Sequence, residues 1–142
     1  MLSVNGFRAA LRYLTMFKEG MICTVSLSFL TVVFGFLLAL VLALMRMSRI
    51  KPLSIFASIY VEVFRGTPMV LQAVFIFYGL PMIGVTFPSV SFIPDFDRFA
   101  AGIVAMSLNS CAYVAEIIRG GLMAVDGGQM EAGRSLGLNY FD

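Results

Sequence analysis

Between Gly20 and Met45 the chain carries no Asp, Glu, Lys or Arg. As a helix, that stretch is about 39 Å long at 1.5 Å per residue, more than the roughly 30 Å hydrocarbon core of a bilayer. A helix that is apolar all round at that length has one economical environment, a membrane. The rest of the chain must therefore be read with lipid as the solvent. Composition agrees. The 142 residues are 60% hydrophobic with a mean hydropathy of +0.94, against about 45–50% apolar usage in soluble domains.

Charge divides the remainder. Arg46, Arg49 and Lys51 close the first window, and Phe99 to Ala115 forms another uncharged window that ends at Glu116 and Arg119. Between them, Pro52 to Val61 is apolar but too short to cross, and predicts a helix running along or shallowly into the membrane interface. Glu62 and Arg65 are spaced to pair on its surface. Thr67-Pro68 then predicts an N-cap followed by a first-turn proline, opening a second span over 68–84 with Gln72 as its strongly polar residue. Pro81, Pro88 and Pro94, with Gly84, Asp95 and Asp97, predict a connection on the outer side. A third span follows over 98–119. Residues 1–18 place Phe7, Leu11, Leu14 and Phe17 on one helical face and Arg8, Arg12 and Thr15 on the other. That pattern predicts an amphipathic interfacial helix ahead of the span at 20–45. A cleaved signal peptide is the rival reading, but the apolar run is too long and no small-residue cleavage site precedes the next charges. The fold class is an all-α integral membrane bundle with three transmembrane helices.

Two finer patterns sit on those spans. Gly35, Ala39 and Ala43 recur at every fourth residue, a small-residue stripe suited to a close neighbouring helix or ordinary membrane-helix usage. Asn109, Tyr113, Glu116 and Gly120 share one face of the third span. In lipid such a stripe must face protein or a water-filled path, so Asn109, Tyr113 and Glu116 are candidates for lining a translocation path, or for bonding across the bundle. Cys23 and Cys111 lie in apolar stretches and read as small buried residues. With no histidine, a His-based triad or a zinc site of the usual kind is excluded. There is no phosphate-binding loop and no paired-carboxylate site. No catalytic residue, cofactor, metal or nucleic-acid partner is expected, and any energy source must come from another subunit.

The polar end of the chain, Asp126 to Asp142, is compact. Asp126 predicts a cap, with Gln129 placed to reach back in a capping box. Glu131 is expected in the first turn and Arg134 near the last, in the order the helix dipole favours. Gly137 predicts a left-handed stop and Leu138 the apolar contact beyond it. The result is a capped helix over 127–136 that directly follows a membrane span.

Glu131-Ala132-Gly133, three residues and then Gly137 resemble the EAA loop of ABC-importer permeases. The flanking Ala112–Gly121, the run Gly128-Gln129-x-Glu131-Ala132, and Arg65-Gly66-Thr67-Pro68-x-x-x-Gln72 are similar to the polar amino-acid uptake branch of that family. Gly133 departs from the pattern, where Ala is usual. The resemblance covers the N-terminal two-thirds of such a permease, whose core has five spans. It implies an inner-membrane permease subunit that moves polar amino acids. Its partners would be cytoplasmic ABC ATPase subunits, an extracytoplasmic solute-binding protein, and a second permease subunit, identical or not. The helix with Gly128, Gln129, Glu131, Ala132, Gly133 and Gly137 would couple to the ATPase. A permease for another small solute, or a short membrane protein that keeps the docking loop without transporting, are the alternatives. A channel or secondary transporter is disfavoured by the polar coupling loop. With the coupling loop inside and three spans, the N-terminus lies outside. Arg46, Arg49, Lys51, Arg65, Arg119 and Arg134 then fall on the cytoplasmic side.

Overall fold

The computed structural model describes residues 4–89 and 95–139, with the side chains of residues 4–12 and of Thr15 excepted. Helix α1 runs Val4–Met47, α2 Lys51–Gly66, α3 Met69–Met82, α4 Phe96–Met123 and α5 Gly127–Ser135. No strand occurs among the described residues.

The expected division near residue 18 is absent, because α1 is one continuous helix from Val4. Nothing there breaks it: Lys18 and Glu19 are good helix formers, and Gly20 alone costs only about 1 kcal/mol. The face expected from Phe7, Leu11, Arg8, Arg12 and Thr15 falls on side chains outside those described, while Leu14 and Phe17 are exposed.

Helices α1 and α4 lie side by side and parallel. Leu27 meets Gly102, and Gly35 approaches Ser110 and Ser107 so closely that a Cβ on it would stand 3.2 Å from Ser110 Cβ. Further along, Arg46 meets Glu116. The small-residue stripe is what permits this. Ala39 and Ala43 are buried against Cys111 and Ala115, with Ala57 and Val61 of α2 completing the cluster. Cys111 is buried as expected, whereas Cys23 is exposed, lining an open pocket between α1 and the start of α4.

Helix α2, too short to cross alone as expected, packs over the seam where α1 meets α4, with Ala57 and Val61 buried there and most of its other residues exposed. The Ser54 hydroxyl donates to Arg46 C=O at 3.0 Å, and the Tyr60 hydroxyl donates to Leu108 C=O at 3.0 Å. Among the described residues, only α1, over Met16–Met47, and α4 are individually long and apolar enough to cross a membrane. The α2–α3 pair qualifies when taken together, bent by 107°. Helix α3 alone spans about 21 Å at 1.5 Å per residue, short of the roughly 30 Å required.

Proline sets the irregularities of α3. Pro81 lies inside the helix rather than in the connection after it. The preceding turn, Phe75–Gly79, widens to a π-helix in which Leu80 N–H bonds Phe75 C=O, sparing a clash between the proline ring and a carbonyl one turn back. Ile76 in that turn packs on Ala101 and Ala105 of α4. Gly84, at φ +86, turns the chain away. Of the expected connection, Pro94 lies outside the described residues. Asp95, at φ 55, precedes α4 and pairs with Arg98 at 3.2 Å.

Candidate functional site

Arg65 to Gln72 folds into the joint between α2 and α3. Thr67 was expected to cap the second helix. It instead follows the last residue of the first, in the C-cap position, with extended backbone (φ −113, ψ 144) as a residue before proline should be. Its hydroxyl turns back to donate to Val63 C=O at 2.8 Å. Pro68 holds the cap position of α3 and no side chain caps it.

Gln72 resolves the problem this creates. In a continuous helix, the N–H of residue 68 would bond Phe64 C=O, but Pro68 has none. The Gln72 side chain folds back and supplies it, Nε2 donating to Phe64 C=O at 2.8 Å, with Thr67 C=O at 3.1 Å and Thr67 Oγ1 at 2.7 Å also in reach. Three acceptors around one nitrogen fix which way the amide points. Its Oε1 is left free and accepts from Asn109 Nδ2 of α4 at 3.0 Å. One glutamine thus closes the joint and ties it to the neighbouring helix.

The polar stripe of α4 is partnered along its length. Asn109 bonds across the bundle to Gln72. The Tyr113 ring lies under Arg65, whose Cζ is 5.6 Å from the ring centroid. Glu116 is shared by Arg46 of α1 and by Arg119, whose Nε lies 3.2 Å from Oε1. Gly120 meets nothing that a Cβ there would strike. The expected Glu62–Arg65 pair is not among the ion pairs of the described residues. Arg65 turns instead to the aromatic ring, which offers its cation a flat apolar face as well as the ring quadrupole. Arg46 and Arg119 were read from the sequence only as charges that end the uncharged windows, and Tyr60 was given no role. Arg119 was within reach by its i, i+3 spacing to Glu116. No local signal could pair Arg46 with Glu116 or Tyr60 with Leu108, which depend on how the helices dock.

Helix α5 forms at its expected place. Asp126 caps it, accepting from Gly128 N–H at 2.9 Å. The reciprocal bond from Gln129 is not made, so half of the capping box exists. Glu131 lies beyond the first turn, where the dipole effect has largely faded, and Arg134 is in the last turn as expected. The C-terminal stop is complete: Gly137 has φ +79, its N–H bonds Arg134 C=O at 3.0 Å, and Leu138 N–H bonds Gly133 C=O at 3.1 Å. Every described residue of α5 except Gly133 is exposed. Beside it, Val125, Gln129, Met130, Gly133, Arg134 and Leu138 line an open groove of about 500 Å³. Of the longer motif, Tyr140 to Asp142 lie outside the described residues.

Comparison with known proteins agrees with this layout. Residues 16–142 match the family described as binding-protein-dependent transport system inner membrane component. The arginine transport system permease protein ArtQ of Bacillus subtilis is 40% identical over 134 residues, covering 94% of this chain and 58% of that protein. The L-cystine transport system permease protein TcyB of the same organism is 40% identical, covering 85% and 48%. The octopine transport system permease protein OccM of Rhizobium radiobacter is 42% identical, covering 84% and 49%. A solved crystal structure of an amino acid ABC transporter with histidines superposes with a TM-score of 0.79 at 46% identity, covering 94% of this chain and 58% of that one. The chain thus spans about half the length of these relatives. With the family model matched over residues 16–142 and the helical bundle superposing on a permease structure, the chain belongs to the inner-membrane permease component family of binding-protein-dependent transport, alongside amino-acid ABC permeases.

Proposed function

We propose that this chain is the permease part of an ATP-driven importer for polar amino acids in a bacterial inner membrane. Two permease subunits would pair around a path, with an extracytoplasmic binding protein delivering substrate and cytoplasmic ATPases docking from below. The observation that carries this reading is α5. A short helix stopped at both ends by its own caps, directly continuing α4 and exposed nearly all round, suits a rigid element presented to another protein. In this reading α5 and the Arg46 end of the bundle face the cytoplasm and the N-terminus lies outside. Gly128, Gln129, Glu131, Ala132, Gly133 and Gly137 form the ATPase contact. Closure of the ATPases moves α5 as a body, α4 follows, and access alternates between the two sides. Asn109, Tyr113 and Glu116 border the path. The arginine, cystine and octopine permeases among its relatives support an amino-acid substrate.

The test is capture of the ATPase by the intact-length permease. Glu131→Lys reverses an exposed charge on α5, and Gly137→Val places a β-branched residue at φ +79. Both are expected to insert and express normally yet lose ATPase binding and transport. Full ATPase capture by both variants would sink the coupling role.

A further inference from the structure

Arg65 is poorly placed for a residue facing lipid. Tyr113 lies within the uncharged window 99–115 of α4, about 9 Å from its middle at Ser107, at 1.5 Å per residue. Half of a hydrocarbon core is about 15 Å. The guanidinium 5.6 Å from the Tyr113 ring is therefore a permanent charge at the charged end of that window, against a face that is otherwise apolar. Among the described residues it forms no ion pair. Glu116, one turn further along α4, is already held by Arg46 and Arg119. Arg65 is exposed, and the Tyr113 ring beneath it is 44% exposed. A cation so placed turns towards protein or water rather than lipid. On either side of it along the stripe, the amide pair Gln72–Asn109 and the Glu116 cluster have satisfied one another.

The geometry points to Arg65, steadied by the face of Tyr113, as the group that receives the carboxylate of the passing substrate. This deepens the permease reading and rests on it. The guanidinium is planar and presents a fork that fits a carboxylate through two parallel hydrogen bonds. Stacking on the ring fixes the plane of that fork before the ligand arrives, which lowers the ordering cost of binding. Such a site reads only the part that all amino acids share. It would therefore take arginine, cystine or octopine alike, leaving choice among side chains to other groups.

The experiment uses the permease assembled with its ATPase subunits in detergent, without the binding protein. Equilibrium dialysis compares L-arginine and L-glutamine with their α-amides, which keep the ammonium and side chain but lack the anionic carboxylate. The wild-type complex is expected to bind each acid about tenfold more tightly than its amide. Arg65→Gln is expected to bring the two within about twofold, Arg65→Lys to keep part of the preference, and Tyr113→Leu to weaken the acids while leaving the amides unchanged. An unchanged ratio in Arg65→Gln overturns the proposal, as does a wild-type complex that binds acid no better than amide or binds neither. Should Arg65→Gln fail to assemble, Tyr113→Leu decides: equal weakening of acid and amide overturns it. ATP-dependent uptake by the wild type with its binding protein is measured in parallel. Loss of that uptake counts against the permease reading itself, whereas normal uptake with an unchanged acid-to-amide ratio counts against Arg65 alone.

Discussion

At Gly133 a single missing methyl sits at the centre of the C-terminal stop. A Cβ built there would lie 3.7 Å from Leu138 Cδ1, an ordinary van der Waals contact, with no other atom in the way. That contact is the apolar pair that usually accompanies this kind of helix end. Gly133→Ala is thus expected to stabilise α5 by about 1 kcal/mol through helix propensity alone, with the Leu138 contact adding to it. Amide hydrogen exchange of α5 should slow about fivefold. Gly137 is the opposite case. Its φ of +79 is the one feature of the stop that a side chain opposes, and a residue other than glycine there costs roughly 1–2 kcal/mol. Exchange in the same helix should quicken on Gly137→Val. If Gly133→Ala does not slow exchange, α5 does not persist as the helix described.

At the scale of elements, the joint between α2 and α3 shows what can and cannot be read from a sequence. Gly66-Thr67-Pro68 marks a break, and the break is there. The partner that makes it tolerable, Gln72, could be seen only as a polar residue in an apolar run, because its target carbonyl at Phe64 is orphaned by the geometry of the bend. The same holds for Asn109, whose helical face was legible and whose partner was not. Periodicity gave α4 and α5 nearly whole, since their spacing, caps and stop are local. For α2 it showed a helix too short to cross alone, but not that Ala57 and Val61 would seat it on the seam where α1 and α4 meet. It also drew a boundary near residue 18 from a change in polarity, and a change in polarity does not break a helix. Gln72→Leu should remove the side-chain donor to Phe64 C=O and strand Asn109, costing about 2 kcal/mol as part-buried polar groups lose their partners. Gln72→Glu should be worse, since an ionised carboxylate only accepts and would face two carbonyl oxygens. Thermal unfolding in mild detergent that ranks Glu above Leu in stability would show that the amide is not closing the joint.

For the whole molecule, the helices meet through small side chains along most of their length and through charge at one end. Gly35, Ala39 and Ala43 bring α1 against α4, so that van der Waals contact, rather than the hydrophobic effect, holds them in lipid. At the end nearest α5, Glu116 joins Arg46 of α1 to Arg119 of α4, with all three side chains between 19% and 28% exposed. Helix α5 follows on directly from α4. Any force on it reaches α1 by way of α4, and the Glu116 carboxylate is the charged link at the near end of that route. Removing the carboxylate leaves two guanidiniums facing each other without a counterion, whereas removing Arg46 leaves the Glu116–Arg119 pair intact. Glu116→Gln should therefore destabilise the bundle by about 2 kcal/mol, and Arg46→Gln by about half as much, both discounted for partial exposure. The exchange Arg46→Glu with Glu116→Arg should recover most of the loss, because the new carboxylate on α1 would face both arginines of α4. Denaturant titration of the four proteins in one detergent separates these cases. A swap no more stable than Glu116→Gln would mean that the charges are not what fastens α1 to α4, and that the small-residue seam alone does so.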